Sequence, residues 1–281
     1  MTTALRPPLP YFGAKQRIAE QIVALFPEHE HYVEPYCGGM SVLLAKSPAK
    51  IETVNDLDHH LVKFWRVLRD RPDELLRACE LTPHSRVELA ESRTTDDCDD
   101  LEVARRVWVH LTQGRAGLRT STGWRFYLDA TATNRGMPGY LDGYRDRMPA
   151  AARRLAHVSL ECRDALDVVR DYGRQPSTLL YVDPPYLPET RTGGKYRHEA
   201  TAEHHRELLG VLAGCRARVA LSGYASALYA ERLNGWHQTL ISASTQQANK
   251  VGRNGRTEVV WTNYEPHPGL FDASVPGQRA C

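Results

Sequence analysis

Five residues, Thr178-Leu179-Leu180-Tyr181-Val182, form an apolar run that stops at Asp183-Pro184-Pro185-Tyr186. The run has the length and composition of a buried strand. Proline lacks a backbone N–H, so the pair at 184–185 cannot continue a central strand. A polar tetrapeptide is thereby fixed at the end of a core strand. The same strand–turn–helix pattern begins the chain. Tyr32-Val33-Glu34 is a short strand ending at Pro35, and Gly38-Gly39 makes a tight turn. Ser41 to Ala45 opens a helix, with Pro48 beyond its end. Ile51 to Val54 is a second strand running into Asn55-Asp56, and Leu57 to Arg69 is helical. This alternation is the start of a parallel, doubly wound sheet.

Before it, Ile18, Ile22, Val23 and Phe26 give Gln16 to Phe26 helical spacing that ends at Pro27. After it, the pattern changes from about Pro72 to Ala150. A helix over Glu102 to Leu111 is followed by the polar, Gly- and Arg-rich stretch Gln113 to Gly143, which has the character of an insertion. The alternation then resumes. Val158 to Glu161 is a strand and Asp164 to Tyr172 a helix. Thr201 to Ala213 is a helix with Thr201 as its N-cap. Ala217 to Leu221 is a strand and Ala225 to Leu233 a helix. Two last strands lie near Gln238 to Ser242 and Thr257 to Asn263.

A net charge of +2 excludes a polycation. Yet Arg105, Arg106, Arg115, Arg119, Arg125, Arg135, Arg145 and Arg147 fall between Leu101 and Met148, against Glu102, Asp129, Asp142 and Asp146. Such local basicity is the footprint of a nucleic-acid contact, or else a solvated Arg-rich face. No apolar run nears the roughly 18–20 residues of a membrane span, and the N-terminus has no apolar signal-like core, so a cytoplasmic protein is expected. The six cysteines are widely spaced, which predicts free thiols, with Cys37 as a small space-filling residue. The paired histidines, His204-His205 among them, lack carboxylates at metal-site spacing and are read as surface residues; no metal is expected.

In an open α/β sheet, ligands bind beyond the carboxyl ends of the strands. Glu34-Pro35-Tyr36-Cys37-Gly38-Gly39 sits at one such end. Asp56 ends the next strand about 20 residues on, a separation suited to accepting ribose hydroxyls. The phosphate-binding Gly-x-Gly-x-x-Gly pattern and a Walker Lys are both missing, which favours a nucleoside ligand without a pyrophosphate. At the other strand end, Asp183-Pro184-Pro185-Tyr186 suits methylation of an exocyclic amine. Such a nitrogen is a poor nucleophile because its lone pair is delocalised into the ring. Two acceptors, the Asp183 carboxylate and the carbonyl of Pro184 held by the rigid Pro-Pro turn, would localise that pair. Tyr186 offers an aromatic face to a base taken out of a duplex. A plain surface turn is the alternative.

Taken together these segments resemble the Dam-like (D12-class, α-group) adenine-N6 DNA methyltransferases, over about Pro8 to Tyr264. Pro10-Tyr11-Phe12-Gly13-Ala14-Lys15 resembles the family's N-terminal cofactor motif, and Val33 to Ser41 its glycine-turn motif. Asn55-Asp56-Leu57-Asp58 resembles the ribose motif, and Arg163-Asp164-Ala165-Leu166 the segment whose Asp contacts the cofactor adenine. Asp183-Pro184-Pro185-Tyr186 matches the catalytic motif, and Leu221 to Tyr224 and Glu258 to Tyr264 the later strand motifs. Met40 departs from the pattern, standing where many relatives carry Gly.

The resemblance implies a Rossmann-like methyltransferase fold: a mostly parallel, doubly wound sheet with a C-terminal antiparallel strand. Residues 1–71 and 151–265 would form the catalytic domain, 72–150 an inserted target-recognition region and 266–281 a flexible tail. It implies S-adenosylmethionine as cofactor, contacted by Tyr11, Gly13, Lys15, Glu34, Pro35, Gly38, Asp56, Asp164 and Asp183. Asp183, Pro184, Pro185 and Tyr186 would be catalytic. The partner would be double-stranded DNA, gripped by Arg115, Arg119, Arg125 and Arg135, in a bacterium or a phage-infected cell. Residues 187–198 would close over the flipped base. Competing readings at this point are cytosine N4 or a protein glutamine amide as acceptor, a non-catalytic DNA-binding protein, and a nucleotide-dependent oxidoreductase.

Overall fold

The computed structural model describes residues 4–96, 98–115, 123–127, 136–187, 200–241 and 257–266. Seven strands form one sheet: β1 (His31–Glu34), β2 (Ile51–Asn55), β3 (Val158–Glu161), β4 (Thr178–Val182), β5 (Arg218–Gly223), β6 (His237–Ile241) and β7 (Glu258–Thr262). Their order is β3-β2-β1-β4-β5-β7-β6. The first five are parallel, and β7 runs antiparallel to both β5 and β6. The chain winds outward from β1 to β3 and then returns to place β4 on the other side of β1. That reversal opens a crevice between the carboxyl ends of β1 and β4, so Glu34 and Asp183 emerge side by side.

Period-two alternation explains how both faces of the sheet are covered. From β1 and β4, Tyr32, Leu179 and Tyr181 point into one apolar core, whereas Val33, Leu180 and Val182 point into the other. The second core is closed by α9 (Ala165–Tyr172), α10 (Ala202–Ala213) and α11 (Ala227–Arg232). The first is closed by α2 (Ser41–Ala45) and α3 (His59–Asp70), together with helices from the expected insertion. Asp58 caps α3 through His60 N at 3.1 Å, and Thr201 caps α10 through His204 N at 3.1 Å, as its sequence predicts.

The stretch from Pro72 is more regular than its composition suggests. It holds α4 (Pro72–Leu81), α5 (Arg86–Glu91), α6 (Asp100–Gln113), α7 (Gly136–Arg145) and α8 (Met148–Leu155). Val103, Val107, Trp108, Leu111, Met148 and Leu155 join the same core as Tyr32 and Trp65. A buried ionic cluster secures the last helix: Glu52 of β2 takes Lys46 Nζ at 2.7 Å and a forked contact from Arg154 of α8. Much of the Arg excess is also internal. Arg105 pairs with Glu88 and Glu102, Arg106 with Glu102, and Arg145 with Asp142.

The helix expected over residues 16–26 shortens to α1 (Ala19–Val23). Ile18, at its N-cap, offers no side-chain acceptor, and the last turn tightens to i→i+3 bonds before Pro27. No helix among the described residues is long and apolar enough to cross a membrane. Residues 188–198 of the expected closing loop and 267–281 of the expected tail lie outside the described residues.

Candidate active site

The strand ends open into a cavity of about 320 Å³. Tyr11, Gly13, Lys15, Glu34, Pro35, Gly38, Asp56, Asp164 and Asp183, the residues expected around a cofactor, all line it, and so does Pro185. On the β1 side the chain turns through Gly38, at φ +43°. A Cβ there would stand 2.8 Å from Tyr11 Cε1, so the bare backbone is what lets the Tyr11 ring lie on the turn. The turn is held by Gly38 N to Asp56 Oδ2 at 2.9 Å and by Trp65 Nε1 to Gly38 O at 3.0 Å. Met40, the departure from the family pattern, is the one non-glycine residue at positive φ among the described residues, at +52°. Its side chain is buried in the core, which offsets a left-handed backbone that costs about 1–2 kcal/mol. The turn is thus kept at the expense of local strain.

Burial pushes the Asp56 carboxyl up to about 6 against the backbone N–H groups of Asp58 and Gly38. Asp164 lies at the exposed end and caps α9 through Leu166 N at 2.7 Å. Asn55 ties three strand ends together: its amide donates to Pro35 O at 2.9 Å and Arg163 O at 3.0 Å, and its carbonyl accepts Arg163 N at 2.9 Å.

On the β4 side, Lys15 Nζ lies 2.7 Å from both Asp183 oxygens and 3.0 Å from Gly13 O. Lys15 is only 7% exposed. Burial alone would lower its pKa, but Asp183 and Glu258 hold it above the ordinary lysine value, so it is charged. Burial pushes Asp183 up while the Lys15 ammonium pulls it back. Glu258, on β7, lies 4.0 Å from Lys15 and accepts the Tyr186 hydroxyl; burial lifts it to about 7. Glu34 is buried beside them, accepts Tyr32 OH at 2.9 Å, and is raised to about 8 by that burial.

Two expectations change here. Tyr186 does not present an open face: it is 7% exposed, with Lys15 Nζ 4.8 Å from its ring centroid and Tyr224 packed at 4.7 Å. Its tether to Glu258 comes from a strand 72 positions away, beyond the reach of local sequence. Nor is His205 a surface residue, and His204 is half-buried. His204 lines the cavity and bonds Tyr36 OH at 2.8 Å, and His205 is fully buried. The signal for His205 was available: it shares helical spacing with Leu208, Leu209 and Leu212, all buried on the same face of α10. For Glu258 the signal was a lone acid opening an apolar strand.

Of the residues expected to grip DNA, the two that are described, Arg115 and Arg125, do not line the cavity. Arg115 donates to Trp124 O at 3.2 Å and lies over the Phe126 ring, and Arg125 lies over Tyr140. Arg119 and Arg135 lie outside the described residues. The backbones of Gln113–Arg115 and Gly123–Arg125 pair antiparallel through an isolated bridge at Gly114 and Trp124.

A Type II methyltransferase of Lactococcus lactis subsp. cremoris is 26% identical over 92% of this chain and 96% of its own length. Among solved structures, a methyltransferase from Geobacter sulfurreducens is 11% identical with a TM-score of 0.37, covering 88% of this chain and 76% of its own. A SAM-dependent methyltransferase from Agrobacterium tumefaciens is 12% identical with the same TM-score, covering 88% and 59%. At those scores the likeness adds nothing to what strand order already says. The family described as D12 class N6 adenine-specific DNA methyltransferase matches residues 11–232, well over half of the chain. The chain therefore belongs to the D12 class of N6 adenine-specific DNA methyltransferases and is an S-adenosylmethionine-dependent enzyme that methylates adenine in DNA.

Proposed function

We propose that Asp183 and the Pro184 carbonyl are the acceptors that activate adenine N6, and that the cavity beside them holds the methyl donor. The observation that carries this is the juxtaposition of the Asp183 turn and the Gly38 turn on one cavity. When bound, S-adenosylmethionine supplies a methyl group on a positively charged sulfur. The residues present fit it. The Tyr11 ring, lying on the bare Gly38 backbone, offers a flat wall, Asp56 and Asp164 offer acceptors for hydroxyl and amine groups, and the Asp183 carboxylate lines the same cavity.

The target adenine would leave the duplex stack to reach this depth. Asp183 and the Pro184 carbonyl would each accept a hydrogen bond from N6, localising the lone pair on nitrogen. Asp183 would take up the proton that N6 sheds as it gains the methyl group. Lys15 keeps Asp183 aimed and ionised beforehand. Tyr186, fixed by Glu258, walls the base site. We assign target recognition to residues 72–150, with the paired segments 113–115 and 123–125 and the Arg residues around them meeting double-stranded DNA. A role beside a restriction enzyme, in the cytoplasm of a bacterium, accords with the Type II relative.

The test is to incubate the enzyme with S-adenosylmethionine and unmethylated genomic DNA, digest to nucleosides and quantify methylated bases by mass spectrometry. N6-methyladenine should form with the wild type and vanish with Asp183→Ala, while donor binding by calorimetry persists. Full activity in Asp183→Ala would overturn the assignment.

A further inference from the structure

Pro184 and Pro185 have no N–H with which the catalytic turn could close on itself, and the half-buried Pro185 carbonyl takes its hydrogen bond from a side chain of α10. His205 Nε2 lies 3.0 Å from the Pro185 carbonyl, and its Nδ1 lies 3.0 Å from the Tyr229 hydroxyl. A carbonyl only accepts, so Nε2 carries the hydrogen. Burial draws the His205 pKa down to about 4, so the ring is neutral and Nδ1 accepts from Tyr229. Tyr229 is itself fixed. It is buried on α11, its ring centroid lies 5.0 Å from that of Trp261, and a Cβ on Gly223 would come within 3.3 Å of it. A chain of contacts thus runs from β7 through α11 and α10 to the catalytic turn.

We propose that His205 is a positioning residue for methyl transfer, holding the Pro185 carbonyl and, through it, the direction of the Pro184 carbonyl. The Pro185 ring locks its φ, which leaves its ψ as the one soft torsion between the two carbonyls. The bond from Nε2 sets that torsion, and Tyr229 selects the tautomer able to make it. This rests on the reading of the Pro184 carbonyl as an acceptor for N6.

Two substitutions separate position from packing. A Gln amide nitrogen reaches the place of Nε2, and an Asn amide the place of Nδ1. In the full-length enzyme, His205→Asn should lower kcat by on the order of tenfold to a hundredfold, the scale of a misplaced reacting group. KM for the donor and for DNA should stay unchanged. His205→Gln should restore most of kcat at an equal thermal midpoint. Tyr229→Phe keeps the ring and should lower kcat less than His205→Asn does; it carries the test if neither His205 variant folds. Wild-type kcat in His205→Asn or in Tyr229→Phe, or equal losses of kcat in the Asn and Gln variants, would overturn the proposal. Asp183→Ala run alongside keeps the two readings apart. If it remains active, the catalytic assignment fails; if it is inactive while His205→Asn is unimpaired, only the positioning role fails.

Discussion

The turn after β1 draws its hydrogen bonds from the next strand and the helix that follows that strand, whereas the turn after β4 is held by side chains from three separate elements, two of them 168 and 72 positions away. Around Gly38 the bonds are Cys37 N to Asn55 O at 2.8 Å, Met40 N to Cys37 O at 2.7 Å, and the contacts from Asp56 and Trp65. Around Asp183 they come from Lys15, ahead of β1, from His205 on α10 and from Glu258 on β7. The difference follows from composition. A turn with N–H groups can close on itself and on the next strand. A double-proline turn has given up two donors and depends on what the fold brings to it. The first is robust and local; the second is rigid only while distant elements are in place.

The largest expected effect comes from removing the cation shared by the second turn. In Lys15→Met, Asp183 and Glu258 stay buried without their common partner. Breaking such a pair costs about 3–5 kcal/mol, less whatever the two acids recover by taking up protons. Losing the ammonium also raises Asp183 further, because Lys15 is what opposes its burial. At a given pH less Asp183 is then ionised, so the acid limb of the kcat profile should move to higher pH. Denaturant unfolding and a pH–rate series measure both. A variant as stable as wild type with an unmoved acid limb would mean that the second turn holds itself, and the contrast would be lost.

The same contrast decides what could be read in the sequence. β1, β2 and β4 are legible almost to the residue because a proline or a polar pair marks each end, and the first turn is legible because its glycines and the acid that follows the next strand, Asp56, lie in motifs that follow one another along the chain. Lys15 is legible as a pocket residue only through its motif, not as the counterion of a residue 168 positions on. His205 and Glu258 are misread or passed over because nothing near them names their partners. The Arg-rich stretch misleads in the opposite way: counted as free surface charge, Arg105, Arg106 and Arg145 turn out to be paired with Glu88, Glu102 and Asp142.

Gly38→Ala probes the first turn. The new Cβ meets Tyr11 at 2.8 Å in a left-handed backbone, at a cost of about 1–2 kcal/mol in stability. Pushing Tyr11 off the cavity wall should weaken donor binding, while kcat at saturating donor stays close to wild type because the second turn is untouched. Calorimetric titration with the donor and rates at saturation separate the two. A loss of kcat at saturation with affinity intact would show that the two turns move as one.

Glu34 sharpens the comparison because it belongs to both turns. It ends β1, yet the charge of Asp183 adds to the burial that lifts it to about 8. An acid raised in the folded state stabilises that state fully below its unfolded value, near 4.5 here, and the contribution is lost as pH rises through the folded one. Between those limits this one group should lower stability by up to about 1.4 kcal/mol per pH unit. Glu34→Gln stays neutral throughout, so its unfolding free energy should fall less steeply than that of the wild type across the same window, while the two converge at the acid end. In Asp183→Asn the Glu34 contribution should shrink by the share that the Asp183 charge supplies. Equal slopes for wild type and Glu34→Gln would mean that Glu34 is already ionised in the folded chain, and that the two turns share a cavity without sharing a charge balance.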